Sequence, residues 1–268
     1  HDFERGEAKK REYDEVERRA TEIYSKAIDQ LGDENLTVRL GGVYALERLG
    51  REHKVSRKTI VNVLCSYLRS NTTVTVGPES PEDDEKSKEI FSSKEIEVKK
   101  AVQSVLLGAL KRHNAMDVQE SEKISWGDIY LDLQGAQLHD FRVPHHVRLA
   151  GNFMGAKFYG PTSMKFVSLT NAIFDEARFK GECSIHGAEL AGGVSFRGSV
   201  VEGVFDAPKA TVKSADFFGA KFLSLTKFDG SWFYKINLRS SNFVLPPDFS
   251  KVEVHGDSKC EVLIDGWI

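Results

Sequence analysis

Residues 172–181 read Ala172-Ile173-Phe174-Asp175-Glu176-Ala177-Arg178-Phe179-Lys180-Gly181, two five-residue units that each open on alanine and carry phenylalanine third. A period of five matches neither the 3.6-residue turn of an α-helix nor the two-residue alternation of a flat strand. It suits a chain that runs straight for one unit, turns a corner, and returns above itself. One such unit buries almost nothing alone, so the units are stable only when stacked with covered ends. The backbone then hydrogen-bonds from coil to coil at a spacing of about 4.8 Å.

The pattern extends both ways. Large apolar centres fall at Leu133, Leu138, Val143, Phe153 and Phe158, and after a one-residue slip at Met164, Leu169, Phe174 and Phe179. Ile185 and Leu190 follow a second slip, and Phe196 and Val201 a third. Phe205 comes at a short step beside a weak stretch, Ala207-Pro208. Val212, Phe217, Phe222, Phe228, Phe233, Leu238 and Phe243 complete the series. The expected repeat core is therefore Leu133, Leu138, Phe153, Phe158, Leu169, Phe174, Phe179, Ile185, Leu190, Phe196, Phe217, Phe222, Phe228, Phe233, Leu238 and Phe243. Two places before each centre the residue is often small, as at Ala136, Ala156, Ala177, Ser199 and Ala220. The unconstrained places hold the charge, among them Lys157, Asp175, Arg178, Lys180 and Lys221. Residues 144–149 break the pattern, and Pro246-Pro247 is expected to end the regular coil. The alternating tail through Val252, Val254, Val262, Ile264, Trp267 and Ile268 is expected to cover its open edge.

These units, with Ala215-Asp216-Phe217-Phe218-Gly219 and Ala220-Lys221-Phe222-Leu223-Ser224, resemble the pentapeptide repeat. The resemblance implies an α + β-solenoid in which amphipathic helices precede a right-handed quadrilateral β-helix with four repeats per coil. Roughly 20 repeats imply about five coils and a stack of about 25 Å.

The first half is different. Residues 4–31 favour helix, with a stripe at Tyr13, Val16, Ala20, Ile23, Tyr24, Ala27, Ile28 and Leu31 that reads as core. Gly32 stops this helix, and Asp33 or Asn35 caps the next, striped by Leu36, Leu40, Val43, Leu46 and Leu49. Its Gly41-Gly42 pair points to close packing. Ser56 is expected to cap a third helix bearing Ile60, Val63, Leu64, Tyr67 and Leu68, and a Ser92/Glu95 capping box to open a fourth. The resulting plan is a helical module (1–70), an acidic mobile linker (71–92), a helix and connection capping the solenoid (93–125), the β-helix (126–245) and a C-terminal cap (246–268). Residues 27–49 resemble a module found ahead of pentapeptide repeats in bacterial proteins, often actinobacterial ones, many of which carry a membrane-spanning region further upstream.

A net charge of −3 gives no basic excess for binding nucleic acid directly. Cys65, Cys183 and Cys260 are widely spaced, which suits buried thiols in a reducing compartment. This points to the cytoplasm or the cytoplasmic face of a bacterial membrane. No run approaches 18 apolar residues, so no membrane span is expected in this sequence. The phosphate-loop, zinc-protease and hydrolase motifs are missing, so neither catalytic residues nor a cofactor is expected. His139, His145 and His146 cluster, but only Asp140 stands near as a further ligand, and a metal site is not expected. The reading that remains is a non-catalytic protein-protein interaction scaffold whose protein partner the sequence does not name. Partial heptad character in the first helix is compatible with a homo-oligomer. The family supplies an alternative, a DNA-mimicking modulator of a type II topoisomerase such as gyrase. That role needs an acidic stripe, whereas residues 126–268 hold 16 acids and 15 bases.

Overall fold

The structure, a computed structural model, describes residues 2–70, 74–76, 88–90, 92–110, 125–254 and 261–263. Two compact units separate, His1–Val63 and Leu64–Ile268. The division falls inside the third helix rather than at residue 70, because Tyr67, Arg69 and Ser70 bond to residues of the second unit.

In the first unit α1 (Asp2–Leu31) and α2 (Leu36–Glu52) run antiparallel. Gly42 lies against Ala27 and Leu31, while His53 Nε2 is 3.1 Å from Glu17 Oε1. A Cβ at Gly42 would sit 2.6 Å from the Ala27 carbonyl oxygen, so helix contact requires glycine there, whereas Gly41 faces open space. Asn35 caps α2 through Oδ1, which accepts from Thr37 N at 2.9 Å. The α1 stripe is core only in part: Ala20, Ala27 and Leu31 are buried, but Tyr13, Val16 and Ile23 are exposed. Thirty residues of α1 outrun the 17 of α2, leaving the N-terminal part of the stripe uncovered. Ser56 ends a short 3-10 turn, Lys54–Ser56, and its Oγ is 2.8 Å from His53 Nδ1; α3 (Arg57–Arg69) follows.

The second unit adds α4 (Ser93–Gly108) and an antiparallel strand pair, Val74–Val76 with Lys88–Ile90. Most of the expected linker, 71–92, otherwise lies outside the described residues. The Ser92/Glu95 capping box does not form. Glu95 is buried and accepts from the Tyr67 hydroxyl at 3.0 Å instead.

From Tyr130 the chain winds as parallel coils with four faces. The first face stacks Leu133, Phe153, Phe174, Phe196, Phe217 and Leu238. The second stacks Leu138, Phe158, Phe179, Val201, Phe222 and Phe243. The third carries Val143, Met164, Ile185, Ala207, Phe228 and Phe249. The fourth carries Leu149, Leu169, Leu190, Val212, Phe233 and Val254. Six coils result, one more than expected. Phe243, in the last complete coil, is half-buried, and the exposed Val254 of the tail shares that coil, while all the other expected repeat-core residues are buried.

Pro246-Pro247 does not end the coil. It stands at a corner, and the flanking Val244 N and Asp248 N still donate to Phe222 O and Thr226 O of the coil beneath. Proline's missing N–H is tolerated where no ladder bond is needed. The tail continues the stack through Glu253–Val254 and Glu261–Leu263. Residues 144–149 also rejoin the register, with Leu149 beneath Leu169.

Successive coils on the second face are 20, 21, 22, 21 and 21 residues apart, not a uniform 20. From the second coil onward, one slip falls at the same corner, between the second and third faces. There Gly160, Gly181 and Gly203 stack, and a Cβ at Gly203 would meet the Gly181 carbonyl carbon at 2.5 Å. The further residue of the 22-residue step lies by Gly192-Gly193, where the ladder shifts register.

Phenyl rings lie parallel up the first face, with Phe153–Phe174, Phe174–Phe196 and Phe196–Phe217 centroids 4.7, 4.7 and 4.8 Å apart. Phe205 is not a centre. It occupies the place normally given to a small residue, paired with Cys183 and Thr226, and Ala207 is the centre. Its ring fills the space left by Val201 and Ala207, meeting Phe222 at 5.2 Å and Phe217 at 5.9 Å. Large and small have exchanged places with the interior still filled.

Ser199 occupies a small inward place between Ala177 and Ala220, buried with its Oγ bonded to nothing among the described residues. Ser199→Ala is therefore expected to stabilise the solenoid by about 1 kcal/mol, since it removes an uncompensated buried hydroxyl. Urea unfolding followed by circular dichroism would show the midpoint rising.

Candidate interaction faces and the capped end of the solenoid

Among the described residues no coil lies beneath the first, so its backbone groups need other partners. α4 supplies them. Gln103 pairs with His139 as a strand would: Nε2 donates to the carbonyl oxygen at 2.8 Å, and Oε1 accepts from the backbone N–H at 2.9 Å. Lys99, wholly buried, donates to Ser70 O at 2.9 Å and reaches Gln137 Oε1 at 3.4 Å. Lys100 pairs with Asp140, and Arg69 with Asp132. The cluster covers a sheet edge. Gln103→Leu leaves an N–H and a C=O of His139 without these bonds and is expected to cost about 2–3 kcal/mol in chemical denaturation.

His139 stacks on Tyr159 with centroids 5.1 Å apart. Burial, then Lys99 and Lys100, hold its pKa down to about 4 from 6.5, against smaller opposing pulls from Asp140 and Glu95. The folded state keeps the ring neutral while the unfolded chain takes up a proton below pH 6.5. Its contribution is thus complete above pH 6.5 and is lost as pH falls towards 4. With the ring's remaining solvent contact discounted, the loss is on the order of 2 kcal/mol, and a His139→Gln variant should show a flatter stability profile across that window.

No group of three potential ligands able to hold a metal is found among the described residues. His145 and His146 pack around the exposed ring of Phe166, as does His186. Cys183 is wholly buried and its pKa strongly raised by desolvation, and burial pushes Cys65 up to about 11, so both are poor thiolate nucleophiles. Cys260 lies outside the described residues.

Outward side chains form ladders that no single repeat discloses. On the first face Asp175 accepts from Ser195 Oγ and from Arg197 N. Arg197 then donates to Asp216 Oδ2 at 2.8 Å and lies over Phe218, 5.1 Å from its centroid. Asp216 Oδ1 accepts from Asn237 at 3.0 Å. Small outward groups at Gly193, Ser195 and Ser214 leave a recess of about 530 Å³ beside this ladder, bordered by Lys235 and Arg239. The second face is cationic: Lys157, Arg178, Lys180 and Lys221 stand there with one carboxylate, Glu202, which pairs with Arg178 and Lys180 at 3.0 Å.

Parallel four-sided coils with apolar columns inside and patterned ladders outside define a β-solenoid, a class typically structural or interactive in role. Residues 152–205 match the family model described as pentapeptide repeats, in 9 copies. That stretch of the solenoid is thus built of pentapeptide repeats, and four α-helices precede the solenoid among the described residues. No curated protein and no solved structure matches it. No helix among the described residues is long and apolar enough to cross a membrane.

Proposed function

We propose that the chain is a non-catalytic scaffold that holds a protein partner on the flat outer faces of its solenoid. The observation carrying this reading is the first-face ladder, Asp175–Ser195–Arg197–Asp216–Asn237. Hydrogen bonds between coils fix these side chains in one pattern before any partner arrives. Preorganised side chains lose little conformational entropy on binding, so a flat face can be specific without deep pockets.

The topoisomerase reading ranks below this one. A DNA mimic needs aligned anions, but the three first-face carboxylates are spread over two columns: Asp132 and Asp216 share theirs with Asn152, Ile173, Ser195 and Asn237, and Asp175 stands in the next. Two of the three are engaged by neighbouring coils, and the second face is cationic.

The test is quantitative affinity capture with the full chain and with a Ser195→Arg/Ser214→Arg variant that blocks the recess. At least one protein retained by the native chain and lost by the variant is expected. Identical captures, or inhibition of gyrase supercoiling without regard to the variant, would overturn the proposal.

A further inference from the structure

At the corner between the second and third faces the outward side chains change character along the stack. The place after each second-face centre holds Tyr159, Lys180, Glu202, Leu223 and Val244 in coils two to six. The position three before each third-face centre holds Pro161, Glu182, Val204 and Leu225 in coils two to five. The corner carries charge in coils three and four, through Lys180, Glu182 and Glu202, and is aliphatic in coils five and six. Leu223, Leu225, Val244 and Leu245 are 45%, 36%, 60% and 47% exposed. Four large aliphatic side chains exposed together are uncommon on a surface that faces only water.

Two features select the occupant. A corner is convex, and an amphipathic partner helix seeks a groove. The flank on the second face is cationic, with Lys221 adjacent and Arg178 and Lys180 further down, against Glu202. On the third face Lys227 is balanced by Asp248 in the next coil. An exposed aliphatic edge beside a net positive face suits an interface that is apolar at shallow depth and anionic at its surface.

We infer that this corner is a peripheral docking edge for an anionic lipid bilayer, with Leu223, Leu225, Val244 and Leu245 entering the headgroup layer and the second-face cations meeting the lipid charge. This goes beyond the protein-partner reading and does not depend on it.

Vesicle co-sedimentation of the full chain tests the inference, with phosphatidylcholine alone and with about 30% phosphatidylglycerol. Binding to the anionic vesicles is expected, together with a loss of roughly tenfold for Val244→Glu/Leu245→Glu and a smaller loss for Lys221→Glu. All three residues are exposed, so unfolding midpoints should hold, and Phe218→Glu on the first face should bind like the native chain. No binding to anionic vesicles sinks the inference, as does binding that the double variant leaves intact. Capture of an acidic protein by this corner without vesicle binding also counts against it.

Discussion

Phe174→Asp should yield a chain whose C-terminal half no longer unfolds cooperatively. Phe174 has no solvent exposure and lies between Phe153 and Phe196, each with its centroid 4.7 Å away. Even truncation to alanine would cost about 3–5 kcal/mol, because the coils cannot close over the vacated volume. A carboxylate adds desolvation with no cation in the column, and the sum approaches the total stability of an ordinary domain, about 5–15 kcal/mol. Each coil is also the template for the next, so damage in the third coil reaches both neighbours. Thermal melts followed in the far ultraviolet should lose the transition of the β-solenoid. Lys180→Ala, on an outward side chain that shares Glu202 with Arg178, should shift stability by no more than about 0.5 kcal/mol. Equal damage from the two would show that inward and outward have been confused.

Gly203→Ala is expected to be nearly as disruptive although it adds one methyl group. Its Cβ would lie 2.5 Å from the Gly181 carbonyl carbon, 2.6 Å from that oxygen and 2.7 Å from Glu182 N. All three are backbone atoms of the coil beneath, so relief requires separating coils rather than turning a side chain. A cost of at least about 3 kcal/mol follows, at the upper end for overpacking. Gly219→Ala makes the informative comparison. Gly219 sits at φ +68° with nothing within 4 Å, so the cost there is conformational, about 1–2 kcal/mol. Denaturant midpoints of the two variants would separate close approach from backbone handedness.

The stacking direction was legible because each Phe or Leu centre recurs at nearly every fifth residue. The coil length was not, since the slips that lengthen it look random along the chain. They align only when coils are stacked, where one of them recurs at the corner built by Gly160, Gly181 and Gly203. A usable signal was present in Gly135, Gly155, Gly198 and Gly219. These glycines, with Glu176 and Ser240 between and beyond them, mark one positive-φ corner once per coil. Phe205 shows that size alone does not mark a centre, since the interior tolerates an exchange of large and small when total volume is kept.

The outward ladders were illegible for a related reason: Arg197 and Asp216 are 19 residues apart and meet only because a coil is about that long. The same holds for Gln103, whose bonds to the His139 backbone substitute for a missing coil. Nothing in its local sequence distinguishes it from an ordinary helical glutamine. The α1 stripe shows the converse. Its periodicity is sound, but amphipathicity does not say how far a partner helix extends, so Tyr13 and Val16 remain exposed.

The adjacent pair Phe217 and Phe218 tests the central claim most directly. The first is 1% exposed inside the column and the second 38% exposed on the outer face. Hydroxyl-radical footprinting of the native chain, read by residue-resolved mass spectrometry, should modify Phe218 readily and leave Phe217 protected, with Phe174 and Phe196 protected alike. Comparable modification of both neighbours would contradict a closed solenoid with an inward aromatic column.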